Sequence, residues 1–207
     1  KYFLAKVNLV TGALDTGFLP PVLSSVAVGV RALALAGSSL IVGGSDVLQV
    51  GANFRRLARL NTATGAADVT WDPNPSSTVR AFLVDGADLY VGGSFGTVAG
   101  AARSRLARIN LASGAIDAGW NPGTPRASTV YSLAKSATHV YAGGVDSLGV
   151  ATSVSRHALA GGAIDGSWAP FFMGDQGGFL GAYSAATSVD GLAVTFAVDS
   201  VKPREGL

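Results

Sequence analysis

Short apolar runs, broken every few residues by glycine and small polar residues, recur along this chain in a fixed order. VRALALAGSSLIVGG (30–44), VRAFLVDGADLYVGG (79–93) and VYSLAKSATHVYAGG (130–144) are each 15 residues long and end in a glycine pair. Val30, Leu33 and Leu35 in the first copy, and Val79, Phe82 and Val84 in the second, supply the apolar positions of a half-buried strand. The pattern predicts a strand a over 30–36, a turn at Gly37-Ser38-Ser39 and a strand b over 40–43. A degenerate fourth copy, AYSAATSVDGLAVTF (182–196), lacks the glycine pair.

A second motif sits between these. Its copies are LAKVNLVTGALDTGFLP (4–20), LARLNTATGAADVTWDP (57–73), LARINLASGAIDAGWNP (106–122) and SRHALAGGAIDGSWAP (155–170). Each carries a basic residue, a stretch of turn chemistry and then G-A-x-D-x-x-[WF]-x-P. The aromatic falls at Phe18, Trp71, Trp120 and Trp168, with separations of 53, 49 and 48. In the first complete unit this predicts a strand c over 56–61, a turn near 62–65 and a strand d over 67–71. No segment has a capped 3.6-residue apolar period, so no helix is expected.

Four short antiparallel strands in a unit of about 49 residues is the period of a β-propeller blade. One such sheet cannot bury both faces, so neighbouring units must stack, with the repeated aromatic between them. A β-solenoid is the rival, although its coils use fewer residues per turn. The expected fold is all-β, a propeller-like stack of four-stranded antiparallel blades in a single repeat domain, 1–207. It parses into a half-blade (1–20, strands c and d), blades at 24–73, 74–122 and 123–170, and a degenerate half-blade (171–200, strands a and b). The two halves permit a closed four-bladed ring with one shared blade. They equally permit a fragment of a larger ring, or a ring built by two chains.

A basic residue precedes the aspartate by nine positions in every copy: Lys6 and Asp15, Arg59 and Asp68, Arg108 and Asp117, Arg156 and Asp165. In a c–d hairpin centred between them, the two face one another and help fix register. In the competing reading the aspartate caps the turn before the aromatic and the cation is solvated. The glycine pair after strand b marks a close backbone approach or a positive φ.

Composition narrows the chemistry. Charged residues make up 14% of the chain, with 15 basic against 13 acidic and no Lys/Arg run. Nucleic acid is therefore not an expected partner. There is no cysteine, hence no disulfide framework and no thiolate metal site. The apolar stretch 22–37 is too short to span a bilayer and contains Arg31, so no membrane span is expected. The opening Lys1-Tyr2-Phe3 reads as a mature or truncated product rather than a signal peptide.

No catalytic, cofactor or metal constellation stands out, and no binding residues are assigned. His139 and His157 sit in strand patterns without an H-x-x-x-H partner. The D-x-x-W segments invite comparison with the Asp-box of sialidase-type propellers, a structural turn. GGSD (43–46), GGSF (92–95) and GGVD (143–146) are not followed by Lys-Ser/Thr or a helix, which argues against a nucleotide site. Asp46 and Asp146 are too few for a calcium cage. The b–c loops (45–53, 94–102 and 145–153) vary while the strands repeat, and their small apolar residues suit packing against protein or another blade. FFMGDQGGF (171–179) is either a contact surface or a plug at a blade interface.

VGGSF (91–95), RLARIN (105–110) and SGAIDAGWNP (113–122) together resemble the delta-60 repeat, a bacterial β-propeller repeat family of unassigned function. The likeness covers nearly all of 4–170, weakens in the third unit where strand c reads SRHAL, and is poor after 171. It implies a secreted or surface-anchored bacterial protein and carries over no catalytic residues. The expected function is thus a non-enzymatic binding or structural module, a scaffold contacting another protein or a surface glycan, with self-association or further blades from a parent chain. The alternatives are a propeller enzyme, glycosidase- or lyase-like, with the repeated aspartates lining a channel, and a subunit of a surface filament.

Overall fold

The computed structural model describes residues 4–21, 29–145, 152–168, 180–187 and 194–200. Among these there are strands and turns but no helix, hence none long and apolar enough to cross a membrane. The first sheet contains β1 (Val30–Ala36), β2 (Ser39–Val50) and β3 (Asn53–Asn61). The second pairs β4 (Val79–Asp85), β5 (Asp88–Gly93) and β8 (Leu106–Asn110), with a small hairpin of β6 (Thr97–Val98) and β7 (Ala101–Ala102) between β5 and β8. The third contains β9 (Thr129–Lys135), β10 (His139–Val145) and β11 (Thr152–Ala158). Last comes a two-stranded sheet of β12 (Leu180–Thr187) and β13 (Val194–Ser200). All pairings are antiparallel, and in each three-stranded sheet the second strand in sequence is central.

The sheets stack in sequence order. β1 packs beside β4, β4 beside β9 and β9 beside β12. Between the first two lies a core of Ile41, Leu57 and Trp71 from one sheet against Val79, Leu89, Val91 and Phe82 from the next. Tyr90, Leu106 and Trp120 meet Val130, Leu133 and Val140 in the same way one unit later. The repeated aromatic therefore fills the space between neighbouring sheets: Trp71 and Trp120 are both fully buried.

The glycine pairs serve close approach, and none of those resolved has a positive φ. A Cβ on Gly92 would sit 2.6 Å from Val130 of the next sheet, and one on Gly93 would lie 2.1 Å from the Thr78 carbonyl oxygen. That carbonyl is drawn in by a β-bulge. Register slips by one residue between Val30 and Ala32, between Val79 and Ala81, and between Val130 and Ser132. The same slip occurs between Ala182 and Ser184. The bulge thus falls at the same place in all four described hairpins.

Three expectations need correction. Strand d is not a full strand: it is reduced to one isolated bridge per copy, Val7↔Leu14, Leu60↔Ala67, Ile109↔Ile116 and His157↔Ile164. Its ladder stops because the following aspartate folds the chain into a turn and the proline after the aromatic has no N–H to donate. The first b–c loop is also not a loop. β2 and β3 continue through it, pairing Leu48↔Arg55 and Val50↔Asn53, because Leu48 and Val50 are buried in the first sheet's core. Finally, register in the degenerate copy sets Ala197 and Val198, not 195–196, opposite Ser184 and Ala182.

Candidate functional site

The recurring charged pair is the most developed polar feature of the chain. Strand c brings a cation and the short d segment brings an aspartate to the same edge, nine residues apart. Lys6 Nζ lies 2.9 Å from Asp15 Oδ2, and Arg108 Nε donates to Asp117 Oδ2 at 2.8 Å. Arg59 pairs with Asp68, and Arg156 with Asp165. The other carboxylate oxygen caps the turn before the aromatic. Asp68 Oδ1 accepts from the Thr70 and Trp71 amides at 2.9 and 3.2 Å, and Asp117 Oδ1 from Gly119 and Trp120 at 2.8 and 3.2 Å. Pairing and capping, set against one another above, coexist because a carboxylate has two oxygens.

These contacts hold the carboxyls acidic. Hydrogen bonds from the Thr70 hydroxyl and the Arg59 guanidinium keep Asp68 well below the usual carboxylate range. The Ser167 hydroxyl and Arg156 do the same for Asp165, and Lys6 with the Gly17 amide for Asp15. Burial pushes Asp117 upward, but the Arg108 guanidinium outweighs it.

Each arginine also stacks and reaches across. Its guanidinium lies over the aromatic of its own copy: Arg59 over Trp71 at 5.5 Å, Arg108 over Trp120 at 5.8 Å and Arg156 over Trp168 at 5.4 Å. Arg59 Nη1 then donates to the carbonyls of Leu111 and Ala112, in the c–d turn of the next sheet, at 2.7 and 2.8 Å. Arg108 Nη1 donates likewise to the Leu159 carbonyl at 3.3 Å. The motif is an inter-blade joint: aspartate fixes arginine, arginine covers tryptophan and clasps the neighbour.

Sequence reasoning missed this crossing contact, since nothing in a single copy marks a backbone carbonyl 52 residues away. It also missed Arg55 and Arg103. Arg55 donates to the carbonyls of Val69 and Trp71, both at 2.8 Å, and Arg103 to that of Asp117 at 3.1 Å. They fasten the d segment where its ladder has ended.

The histidines do not meet. His157 is fully buried at the position held by Leu60 and Ile109 in other copies, with Nε2 2.9 Å from Ser155 Oγ. Burial pushes its pKa down to about 4. His139 Nδ1 pairs with its neighbour Thr138 Oγ1. Among the described residues no three His, Cys, Asp or Glu side chains gather as metal ligands. The Asp46 side chain, Asp146 and 171–179 lie outside the described residues. Phe95 and Val98, in the second b–c segment, are buried in the inter-sheet core.

A different row lies along the first strands of the sheets. The bulged residues are Arg31, Arg80 and Tyr131, and the Arg80 guanidinium sits over the Tyr131 ring at 4.9 Å. Bulges re-aim side chains and recur beside binding sites.

Residues 88–119, from β5 through the Asp117 turn, match the family model described as "Domain of unknown function (DUF5122) beta-propeller". These sheets are β-propeller blades. Among solved structures the chain is similar to the computationally designed Ika4 protein, with 14% identity, a TM-score of 0.51, and 90% of this chain and 99% of that chain covered. It is similar also to the computationally designed Ika8 protein, at 15% identity and a TM-score of 0.51. That match covers 84% of this chain and 46% of Ika8, so the chain spans about half its length. At this identity the likeness concerns fold alone. No curated protein matches.

Proposed function

We propose that this propeller is a non-enzymatic binding module of a bacterial extracellular or cell-surface protein, belonging with the delta-60 repeats and contacting protein or glycan. The observation that carries the reading is the employment of the repeated aspartates. Both oxygens of each are occupied in the joint, one by the cation and one by the turn, and their acidity is that of structural ion pairs. A glycosidase-like mechanism needs a carboxyl with raised pKa and a second one across a substrate. The four aspartates that motivated the enzyme alternative do not have that character.

The contact surface we assign is the bulged row Arg31, Arg80 and Tyr131. An aromatic and two guanidiniums on rigid strands suit the faces and hydroxyls of a sugar, or an acidic peptide. The test is a glycan and surface-protein array probed with the chain and with Arg80→Ala/Tyr131→Ala. Binding by the parent chain that the double variant loses supports the reading. Turnover of a small substrate with no retained ligand would overturn it.

A further inference from the structure

Charge is shared unequally between the two ends of the stacked sheets. The a–b turns mark one end, and the acids described there are matched: Lys135 Nζ lies 2.7 Å from Asp85 Oδ1, and Arg108 Nη1 3.8 Å from Asp88 Oδ2. The opposite end is where strand a starts, strand b finishes and strand c begins. In the second blade Val79 stands opposite Gly93, and Gly92 opposite Leu106. That register brings Arg80 and Arg105 to this end, on either side of the glycine pair. Arg31 holds the place of Arg80 in the first blade. Among the described residues no carboxylate is paired with Arg31, Arg80 or Arg105, and Asp72 is already engaged by Arg55 at 3.3 Å.

The three guanidiniums are poor in other partners as well. Arg31 is exposed. Arg80 lies half-buried over the Tyr131 ring, and its Nε is shielded from solvent without meeting an acceptor. Arg105 has a φ of 64°, a left-handed conformation that residues other than glycine seldom take. Two backbone bonds fix it there: its amide donates to the Phe95 carbonyl at 2.8 Å, and its carbonyl accepts from the Gly93 amide at 2.9 Å. The neighbouring Arg55 and Arg103, by contrast, commit their donors to carbonyls of the d segment. Hydroxyls flank the cations. Ser45 Oγ lies 3.1 Å from Thr78 Oγ1, between the first and second blades, and Ser77 Oγ lies 3.3 Å from Ser94 Oγ.

We infer that this end of the propeller binds an acidic polysaccharide, with its carboxylates on Arg31, Arg80 and Arg105 and its hydroxyls on the serine and threonine row. The inference rests on the binding-module reading above and names the ligand class for that surface. A guanidinium fork meets a carboxylate through two parallel hydrogen bonds, whereas a neutral sugar leaves the positive charges unanswered. Equivalent positions on successive sheets recur at about 10 Å, the spacing of packed sheets, which suits a ligand whose charges also recur along a chain. An acidic peptide would add as a strand to the free edge of strand a, but the bulge breaks that edge at this end. Single-stranded nucleic acid needs open aromatic faces for its bases, and Arg80 takes a face of Tyr131.

Calorimetric titration of the intact chain tests this with short oligomers of galacturonate, glucuronate and mannuronate, their methyl esters, polyglutamate and a single-stranded oligonucleotide. At least one uronate is expected to bind, more weakly as salt is raised. Its methyl ester is expected to bind at least about tenfold less tightly, and Arg31→Gln and Arg105→Gln each to raise Kd about three- to tenfold. Arg31 is exposed and bonded to nothing among the described residues, so its variant keeps an unchanged thermal midpoint and reads binding alone. An ester that binds as tightly as its acid overturns the anionic assignment and leaves the sugar-binding reading standing. A tighter complex with polyglutamate or the oligonucleotide than with any uronate overturns it too. If no uronate binds while the array retains a neutral glycan or a protein, the proposal fails and the binding-module reading survives; silence in both removes the two together.

Discussion

One carboxylate per repeat does two jobs, and each can be removed separately. Asp117→Asn keeps an oxygen for the Gly119 and Trp120 amides but loses the charge facing Arg108, at an expected cost of about 0.5–1 kcal/mol for a partly exposed pair. Asp117→Ala loses both and is expected to cost about 1–3 kcal/mol; urea unfolding of the two variants measures the difference. The pH dependence separates His157 from the aspartates. The native pKa of His157, about 4, lies below the unfolded value near 6.5. Its neutral form therefore favours the fold above that value, and stability falls as pH drops from about 6.5 to about 4, by about 3 kcal/mol in all. The aspartates have lowered native pKa values, so their contribution holds above their unfolded value of 3.8 and is lost as acid goes below it. His157→Leu, the residue found at Leu60, is expected to flatten the curve between pH 6.5 and 4 and leave the lower limb. Denaturant midpoints across that range check it.

At the scale of the element, the a–b hairpins and their glycine pairs were legible because their pattern repeats with fixed length. The bulge at Arg31, Arg80 and Tyr131 was not, since a bulge is a register event between strands and leaves no composition mark at one position. Strand d was over-read: Ala67–Trp71 has strand-like residues, but Asp68 diverts the Thr70 and Trp71 amides and Pro73 has no donor. The β2–β3 extension has no such mark: Gly51 and the small residues around it carry loop chemistry, and only the burial of Leu48 and Val50 in the core extends the ladder. For the glycines, position decides cost. Gly93→Ala sets a methyl against the Thr78 carbonyl and is expected to cost about 3 kcal/mol, whereas at Gly92 the obstacle is the Val130 side chain and about 1 kcal/mol suffices. Thermal unfolding of the two variants should rank them in that order.

Across the whole molecule, stability is a sum over blades and the joints between them, as in other repeat proteins. The existence of the joint could be read from the spacing of Phe18, Trp71, Trp120 and Trp168. Its clasp could not, because Arg59 and Leu111 are 52 residues apart and meet only once two blades are stacked. In that stack Trp71 and Trp120 occupy equivalent positions in successive joints. Each lies under its own arginine, against the next blade's a and b strands. The unfolding free energies of Trp71→Ala and Trp120→Ala, measured side by side in urea, test this most directly. Both should fall by similar amounts, about 3–5 kcal/mol; a neutral result at either tryptophan would contradict the stacked-blade account.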